Sequence, residues 1–455
     1  MKDLPPLDML SDEEKNALIK LLWEEQQRLR AEVEKLKQKR VKKTSSNSGL
    51  PPSKGFKPNQ LRQAQRSLGR EGSIGRAGGG RELSAQPDQV VVAQAKQCPT
   101  CGEKVSLSSQ QLRSIYERIE LPLVKPHVTR VERYGGQCPC CQQRYETPVP
   151  VGLEPGSPFG TSIAGVVSYL RYSHAIGYER LSRVMADLYG VRISEGAIAN
   201  VLQRVHQQLA APVGQIVERL RSARLVCSDE TSARVDGTTQ WEWVFQNDQV
   251  CLHVIRPSRG KTVIEAVMGD HRPQVWVSDL FSAQKANPAE QWQVCLAHQL
   301  RDCQYAIDAG DQLFAPRMKR LFLKAIALQR RRHRLAPSTV EQYKSRLRGT
   351  LREVLNLEPT QPDAQRLLKR YRSIRPHLLL FLDDETVPPT NNSSEQALRW
   401  SVVFRKVTHG FRSHWGAELF AQMRSLINTA KRQGMSALDA ILRALTSSQT
   451  DWLFS

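Results

Sequence analysis

Three acidic residues stand where the chain could bring carboxylates together. Asp229 follows the short apolar run 225–228, Asp279 follows the β-rich run 275–278, and Glu395 opens a later helical run. Carboxylates a few ångströms apart repel each other unless they share a divalent cation, and Mg²⁺ takes such oxygen ligands. The pattern therefore predicts a two-metal nuclease-like site. The alternatives are a turn acid at a strand end and a first-turn acid that complements a helix dipole.

The segments between the first two acids predict how they are positioned. Trp241, Trp243 and Phe245 alternate on one face of a second strand, residues 250–255 form a third, and residues 261–268 form a helix. This order of three strands, a helix and a fourth strand is that of an α/β, RNase H-like fold, whose first and fourth strands are neighbours. Asp229 and Asp279 should therefore meet. The hairpin turns are expected at Asp236-Gly237 and Asn247-Asp248.

The third acid lies in a motif with a known counterpart. The run Asn391-Asn392-Ser393-Ser394-Glu395-Gln396-Ala397-Leu398-Arg399 resembles the last acidic motif of the insertion sequence 66 family of bacterial DDE transposases, and Asp229-Glu230-Thr231 is similar to the family's first. The resemblance implies that Asp229, Asp279 and Glu395 are the catalytic residues and hold two Mg²⁺ ions. Relatives commonly carry Gly and Tyr after the second Asp, whereas Leu280-Phe281-Ser282 stands here.

Two features around Glu395 carry expectations of their own. Thr390 or Asn391 is expected to cap the helix that Glu395 begins. A helix is also expected over residues 291–309, and it would carry the pair Cys295-x-x-His298. That pair is either a weak metal signal or, more in keeping with its position, a means of packing or orienting the site.

Charge and length favour a nucleic-acid partner. The chain has 455 residues, a formal net charge of +21 and a pI near 9.8. Such a charge predicts a polyanionic partner. No apolar run approaches the ~18 residues of a membrane-spanning helix, and the N-terminus has no secretory signal pattern. The expected location is therefore the cytoplasm, with no membrane partner, and the resemblance implies a bacterial protein associated with the nucleoid.

Four cysteines in two close pairs form the strongest local pattern. Cys98, Cys101, Cys138 and Cys141 have the spacing of two zinc knuckles, so a structural Zn²⁺ is expected. The alternative is a redox pair. Cys140 leaves open which cysteine of the second pair binds the ion.

The N-terminal segment has a heptad pattern, since leucine recurs every seven residues at Leu22, Leu29 and Leu36. This pattern predicts a coiled coil and hence a homodimer or higher oligomer; the alternative is an amphipathic helix packed on its own domain. The basic segment that follows either lies along a DNA backbone or is a spacer.

The predicted organisation is a coiled-coil helix at 1–43, a basic flexible linker at 44–95, a zinc module at 96–152, a helical, possibly helix-turn-helix DNA-binding segment at 153–222, a catalytic domain at 223–432 with a helical insertion at about 310–380, and a helical tail at 433–455.

The expected function is DNA transposition by metal-dependent strand cleavage and strand transfer at terminal inverted repeats and target DNA, with accessory proteins encoded by the same element. The alternatives are a non-catalytic DNA-binding protein derived from a transposase and a structure-selective nuclease. The residues expected to contact the DNA backbone are Arg399, Arg405, Lys406 and Arg412.

Overall fold

A computed structural model describes residues 10–38, 41, 43–44, 47–48, 81–447 and 451–454. The chain divides into two compact units, one made of residues 1–56, 129–187 and 191–455 and the other of residues 57–128 and 188–190. In the second unit the described residues form one 3₁₀ turn, Leu107–Ser109. All elements below belong to the first unit except the last two residues of helix α3. Residues 49–80 of the expected linker lie outside the described residues.

The strands form two sheets. A two-stranded sheet pairs β1 (Gly135–Gln137) with β2 (Arg144–Glu146). The larger sheet has the order β5-β4-β3-β6-β7, in which β3, β4 and β5 are antiparallel and β6 and β7 run parallel to β3. Its strands are β3 (Leu225–Val235), β4 (Thr238–Gln246), β5 (Cys251–Arg256), β6 (Val275–Ser278) and β7 (Gln291–Val294).

Helices make up most of the rest of the unit. They are α1 (Asp12–Gln38), α2 (Thr161–His174), α3 (Tyr178–Tyr189), α4 (Glu195–Gln208), α5 (Ala210–Arg221), α6 (Thr262–Met268), α7 (Ser282–Lys285), α8 (Leu296–Asp308), α9 (Ala315–Arg331), α10 (Pro337–Leu355), α11 (Pro362–Ser373), α12 (Asn392–Thr408), α13 (His414–Arg432) and α14 (Ala437–Thr446). The fold is thus mixed α/β. Helices α9, α10 and α11 lie between Asp279 and Glu395 in the chain, where a helical insertion into a catalytic domain is predicted.

Two sequence expectations about the sheet are confirmed and one is wrong. The first and fourth strands, β3 and β6, are hydrogen-bonded neighbours. Asp236 and Gly237 both adopt positive φ, as a two-residue hairpin turn requires. The helix expected over residues 291–309 is incorrect at its start, because Gln291–Val294 pairs with β6 as a buried edge strand and the helix begins only at Leu296. A four-residue run is too short for its periodicity to separate the two structures.

Helix α13 covers the opposite edge of the sheet. The backbone N–H groups of Cys251 and His253 on β5 donate to the hydroxyls of Thr429 and Ser425, at 3.0 and 2.8 Å. These bonds satisfy donors that an edge strand would otherwise leave open to another chain. The sheet's core is aromatic, since Trp243, Phe245 and Trp276 are fully buried.

The N-terminal helix begins at a reciprocal cap. The hydroxyl of Ser11 accepts from the N–H of Glu14 at 3.3 Å, and the Glu14 carboxylate accepts from the Ser11 N–H at 2.8 Å. Its apolar residues Ile19, Leu22 and Leu29 are exposed. Side chains beyond position 32 of this helix lie outside the described residues, so the coiled coil stays a prediction.

Helices α3 and α4 occupy the segment expected to be a helix-turn-helix. Gly190 separates them with φ +65°, and the Ser194 hydroxyl caps α4 by accepting from the Ala197 N–H at 3.2 Å. On the second helix, α4, Asn200, Gln203 and Arg204 are exposed.

Candidate active site

Asp229 lies on β3, and Asp279 directly follows the last residue of the neighbouring parallel strand β6. The pairing of β3 with β6 sets Val226 beside Trp276 and Cys227 beside Val277. Continuing this register by two residues places Asp229 beside Asp279. Neighbouring strands are about 4.8 Å apart, so this continued register would set the two carboxyl groups side by side where the buried parts of the strands end.

The local electrostatics of Asp229 reflect this crowding. Burial first, and then the negative charges of Glu230 and Asp279, raise the pKa of the Asp229 carboxyl well above its usual range, and Glu395 adds to the effect. A hydrogen bond from the Glu230 N–H to Oδ1, at 2.9 Å, opposes the shift. A carboxyl in such a place favours either a proton or a cation beside it.

The start of α12 is tied directly to β3. Asn391, which is buried, does not cap the helix with its side chain; its Nδ2 instead donates to the carbonyl oxygen of Ser228 at 2.7 Å. Asn391 thus occupies the N-cap position, one of the two that were expected, but its Oδ1, the atom that would cap the helix, is buried and has no hydrogen-bond partner among the described residues. A second tie links Gln246 Nε2 of β4 to the Ser394 hydroxyl at 3.0 Å. Glu395 is thus held in the first turn of a helix anchored beside Asp229.

Helix α8 explains the pair Cys295-x-x-His298. The buried Cys295 Sγ accepts a hydrogen bond from the Asn391 N–H at 3.1 Å, which fixes the start of α12 from a second side. One turn further on, His298 Nε2 lies 3.8 Å from Glu395 Oε1, and Arg301 Nη2 donates to the same oxygen at 3.1 Å. The pair therefore orients the site, and sequence reasoning missed Arg301, which the i+3 spacing after His298 could have indicated.

Glu230 was also missed as an individual site residue, and it lies on the other face of β3. Gln284 Nε2 donates to both the Ser228 hydroxyl and Glu230 Oε2, at 3.2 and 2.8 Å. Side chains alternate along a strand, so Asp229 lies on the opposite face with Thr231, whose hydroxyl accepts from Arg405. Arg259 Nη2 neutralises Glu230 at 2.9 Å, and its guanidinium stacks 3.8 Å from the centre of the Phe281 ring. Glu230 is therefore already satisfied by the protein.

The acids supply the oxygen donors that Mg²⁺ prefers. Burial, and after it the negative charges of Glu230 and Asp279, raise the pKa of Asp229, and a cation would offset both effects. In the part of the chain that the structure describes, no three His, Cys, Asp or Glu side chains are gathered tightly enough to hold one ion by themselves. The donor chemistry fits magnesium, and the carboxylates would have to close around the ion.

Comparison with known families assigns the chain. A model described as Transposase IS66 family matches residues 156–419, which is more than half of the chain. The protein belongs to the IS66 transposase family. Membership makes it a DNA-binding protein and an enzyme of the nucleic-acid-modifying kind. The matched stretch contains Asp229, Asp279 and Glu395, and it begins after the four cysteines of the predicted zinc module. No curated protein matches the chain.

In this transposase the four basic residues expected to contact DNA differ in exposure. Arg399, Lys406 and Arg412 are exposed. Arg405 is half-buried: its Nη2 donates to the Thr231 hydroxyl at 3.3 Å, while its Nη1 is buried and, among the described residues, unpartnered. Burial lowers the pKa of Arg405. An anion beside Thr231, two residues after Asp229, would satisfy that guanidinium.

The two cysteine pairs form similar turns in separate units, and each is described by itself. In the first, Cys98 accepts from the N–H of Gly102 through its carbonyl at 2.9 Å, and backbone N–H groups of Cys101 and Thr100 lower the pKa of its thiol. In the second, the Cys138 carbonyl accepts from the Gln142 N–H at 2.9 Å, and the N–H groups of Cys141 and Cys140 lower the pKa of the Cys138 thiol. Lowered thiol pKa values favour the thiolate that metals bind. The four-cysteine zinc site stays a prediction.

The acidic run 383–385 has no part in the site, because its carboxylates form ion pairs elsewhere. Asp384 pairs with Arg224 at 2.8 Å, and Glu385 pairs with Arg332 at 3.7 Å.

None of the helices in the described ranges is long and apolar enough to cross a bilayer.

Proposed function

We propose that this IS66-family transposase cleaves DNA strands and joins their 3′ ends to target DNA at the terminal inverted repeats of an insertion sequence, with Asp229, Asp279 and Glu395 as its catalytic carboxylates. The observation that supports the proposal is the parallel pairing of β3, which carries Asp229, with β6, which ends one residue before Asp279. The start of the helix of Glu395 is hydrogen-bonded to the residue before Asp229. These contacts support a site in which three acids that are far apart in the chain would lie at one end of the sheet.

The sheet supports an RNase H-like catalytic domain. Three antiparallel strands, β3 to β5, are followed by a helix and then by β6 and β7 on the other side of β3, both parallel to it. The helical insertion α9–α11 interrupts the domain between Asp279 and Glu395. This order brings an acid of the first strand beside one that follows the fourth, which the proposed chemistry requires.

Asp229, Asp279 and Glu395 would hold two Mg²⁺ ions, which when bound activate the attacking water or 3′-hydroxyl and stabilise the leaving oxygen. The chain's own residues prepare this site. Arg301 and His298, both on α8, lie against the Glu395 carboxylate and fix its orientation. The hydrogen bond of Asn391 fixes the separation between β3 and the start of α12. The half-buried guanidinium of Arg405 would bind a backbone phosphate beside the acids.

The other parts of the chain would handle DNA ends. We propose that Zn²⁺ on Cys98, Cys101, Cys138 and Cys141 stabilises a DNA-binding module and that Arg399, Lys406 and Arg412 contact the backbone near the site. The exposed heptad face of α1 would pair protomers, so that two ends are joined in one complex. In this proposal the transposase acts in the bacterial cytoplasm, together with accessory proteins encoded by the same element.

The test is strand cleavage and strand transfer in vitro on a labelled terminal-repeat duplex with Mg²⁺. Asp229→Asn, Asp279→Asn and Glu395→Gln should each abolish both steps while DNA binding is kept. Asp270→Asn, at an exposed position outside the site, is the matched control and should stay active. Full activity in any of the three variants would remove that residue from the site. Binding without cutting by the wild type would favour a non-catalytic DNA-binding protein, and cutting of branched DNA without joining would favour a nuclease.

A further inference from the structure

A second site lies on the far side of α12 from the acids. Helices α2, α12 and α13 enclose a pocket of about 480 Å³. This volume exceeds what a single phosphate needs and leaves room for an attached nucleoside. The lining residues on which the inference depends are Ser173, Gln396, Trp400, Arg424, Lys431 and Arg432.

The lining is cationic. It contains two arginines and a lysine but no aspartate or glutamate. Arg432 donates to neutral oxygens only, the carbonyls of Asn247 and Asn428, at 3.0 and 2.8 Å, and the Gln246 amide. Across the described ranges, no carboxylate lies within ion-pair distance of the three cations. Positive charge that lines a cavity without an ion-pair partner favours an anionic ligand.

Two buried polar atoms of the lining have no hydrogen-bond partner among the described residues, Nε of Arg424 and Oγ of Ser173. Arg424 is only 5% exposed, and its Nη2 donates to Asn428 Oδ1 at 2.7 Å. Burial lowers the pKa of Arg424 to about 10, and the charges of Cys251 and Glu242 offset part of that. At Glu242, Oε1 is engaged by the Ser401 hydroxyl at 2.6 Å and by His253 Nδ1 at 2.9 Å, whereas Oε2 has no hydrogen-bond partner among the described residues. Burying a charged guanidinium with an unpartnered N–H costs free energy, and a bound anion would offset that cost.

The helix geometry separates this pocket from the acids. Residues 393, 396, 397 and 400 line the pocket and form one stripe of α12. At 100° per residue, Glu395 points about 150° away from the centre of that stripe. A strand at the acids would therefore have to pass around one helix, about 10–12 Å across, to reach the pocket.

We propose that this pocket binds a phosphate group of the DNA strand whose neighbouring nucleotides lie at the acids. The inference rests on the proposed function and extends it by a separate strand-holding site. Arg424 and Lys431 supply the charge, Ser173 supplies a hydroxyl, and the space beside Trp400 takes the attached nucleoside. The competing source of the same chemistry is a free mononucleotide.

The test measures binding of a single-stranded oligonucleotide by fluorescence anisotropy over a range of salt concentrations, without divalent ions. Lys431→Ala and Gln396→Glu change exposed side chains of the lining. Losing one phosphate contact should reduce the slope of log affinity against log salt by about 0.7 for a single strand. Gln396→Glu, which adds a negative charge, should weaken binding by about tenfold at low salt.

The matched control is Arg443→Ala, which removes one positive charge from an exposed position of α14 outside the pocket. Its slope should equal that of the wild type, and thermal unfolding should show that all variants are folded. Slopes for Lys431→Ala and Gln396→Glu that equal the control's would overturn the inference. A competition arm uses deoxyadenosine monophosphate. If both pocket variants lost the mononucleotide but bound the oligonucleotide like the wild type, the ligand would be a free nucleotide and the DNA assignment would be wrong.

Failure of the pocket and failure of the catalytic proposal can be told apart. The binding measurement needs neither Mg²⁺ nor catalysis, so its result does not depend on whether the acid variants cut DNA. Pocket variants with reduced slopes support the pocket even if the acid variants still cut DNA. Equal slopes overturn the pocket even if the acid variants are inactive.

Discussion

Asn391 Nδ2 lies 2.7 Å from the carbonyl oxygen of Ser228. Ser228 immediately precedes Asp229, and Asn391 is four residues before Glu395. One hydrogen bond therefore connects the strand of the first acid to the helix of the third. Because both groups are buried, water cannot replace it at low cost.

Asn391→Ala should lower the free energy of unfolding by about 1–3 kcal/mol, because it leaves a buried carbonyl unsatisfied. It should also reduce strand cleavage at least tenfold while DNA binding is kept, since Glu395 loses its anchor to β3. Urea unfolding and the cleavage assay measure the two effects. The control is Asn392→Ala, which truncates the exposed neighbour. Equal behaviour of the two variants would show that the bond does not position the site.

The raised pKa of Asp229 predicts how stability depends on pH in the absence of divalent ions. Because the folded-state pKa lies above the ordinary value of 3.8, the unfolded chain binds fewer protons between the two values, and stability falls as pH rises through that window. Asp229→Asn should remove this fall and be more stable than the wild type at pH 7. Added Mg²⁺ should stabilise the wild type but not the variant. Thermal unfolding between pH 4 and 8 measures this, and Asp270→Asn should follow the wild type.

Gly410→Ala should destabilise the protein by about 1–3 kcal/mol. Gly410 adopts φ +98°, and a Cβ there would come within 2.9 Å of the Arg234 carbonyl oxygen. The control is Gly349→Ala, within α10, where no atom lies within 4 Å of the added Cβ; it should stabilise by about 0.5–1 kcal/mol. Urea unfolding compares them, and a neutral Gly410→Ala would contradict the close approach of the loop before α13 to β3.

Purified protein should contain about one zinc ion for its four paired cysteines. Cys141 holds the place in its turn that Cys101 holds in the other, because Gln142 and Gly102, the residues after them, have φ +60° and +75°. Cys141→Ser should therefore lose zinc, and Cys140→Ser should keep it. Zinc content by mass spectrometry separates the two, and retention of the metal by both variants would contradict a site that uses Cys141.

The candidate site shows which relationships a sequence can give. Strand-forming runs, hairpin turns and the acids that end the runs are local patterns, so they predicted that β3 and β6 are neighbours. The edge strand Gln291–Val294 was missed, because four residues adopt a strand only when a neighbour supplies the hydrogen bonds. The hydrogen bond from the Asn391 side chain to the Ser228 carbonyl was also missed, because the two residues are 163 positions apart in the chain.

The sequence by itself identified the candidate acids and their order, the cysteine pairs, the basic character of the chain and the resemblance to a transposase family. These features depend only on residue type and on short spacings, which can be read from the sequence. Only the tertiary structure decided that Arg301 pairs with Glu395 and that Glu230 pairs with Arg259 on the other face of β3. It also decided that Arg424 lines a cavity and that its Nε has no hydrogen-bond partner among the described residues. Each of these depends on where distant elements pack. Burial and the distance between charges set their energies, and neither quantity exists until the chain has folded.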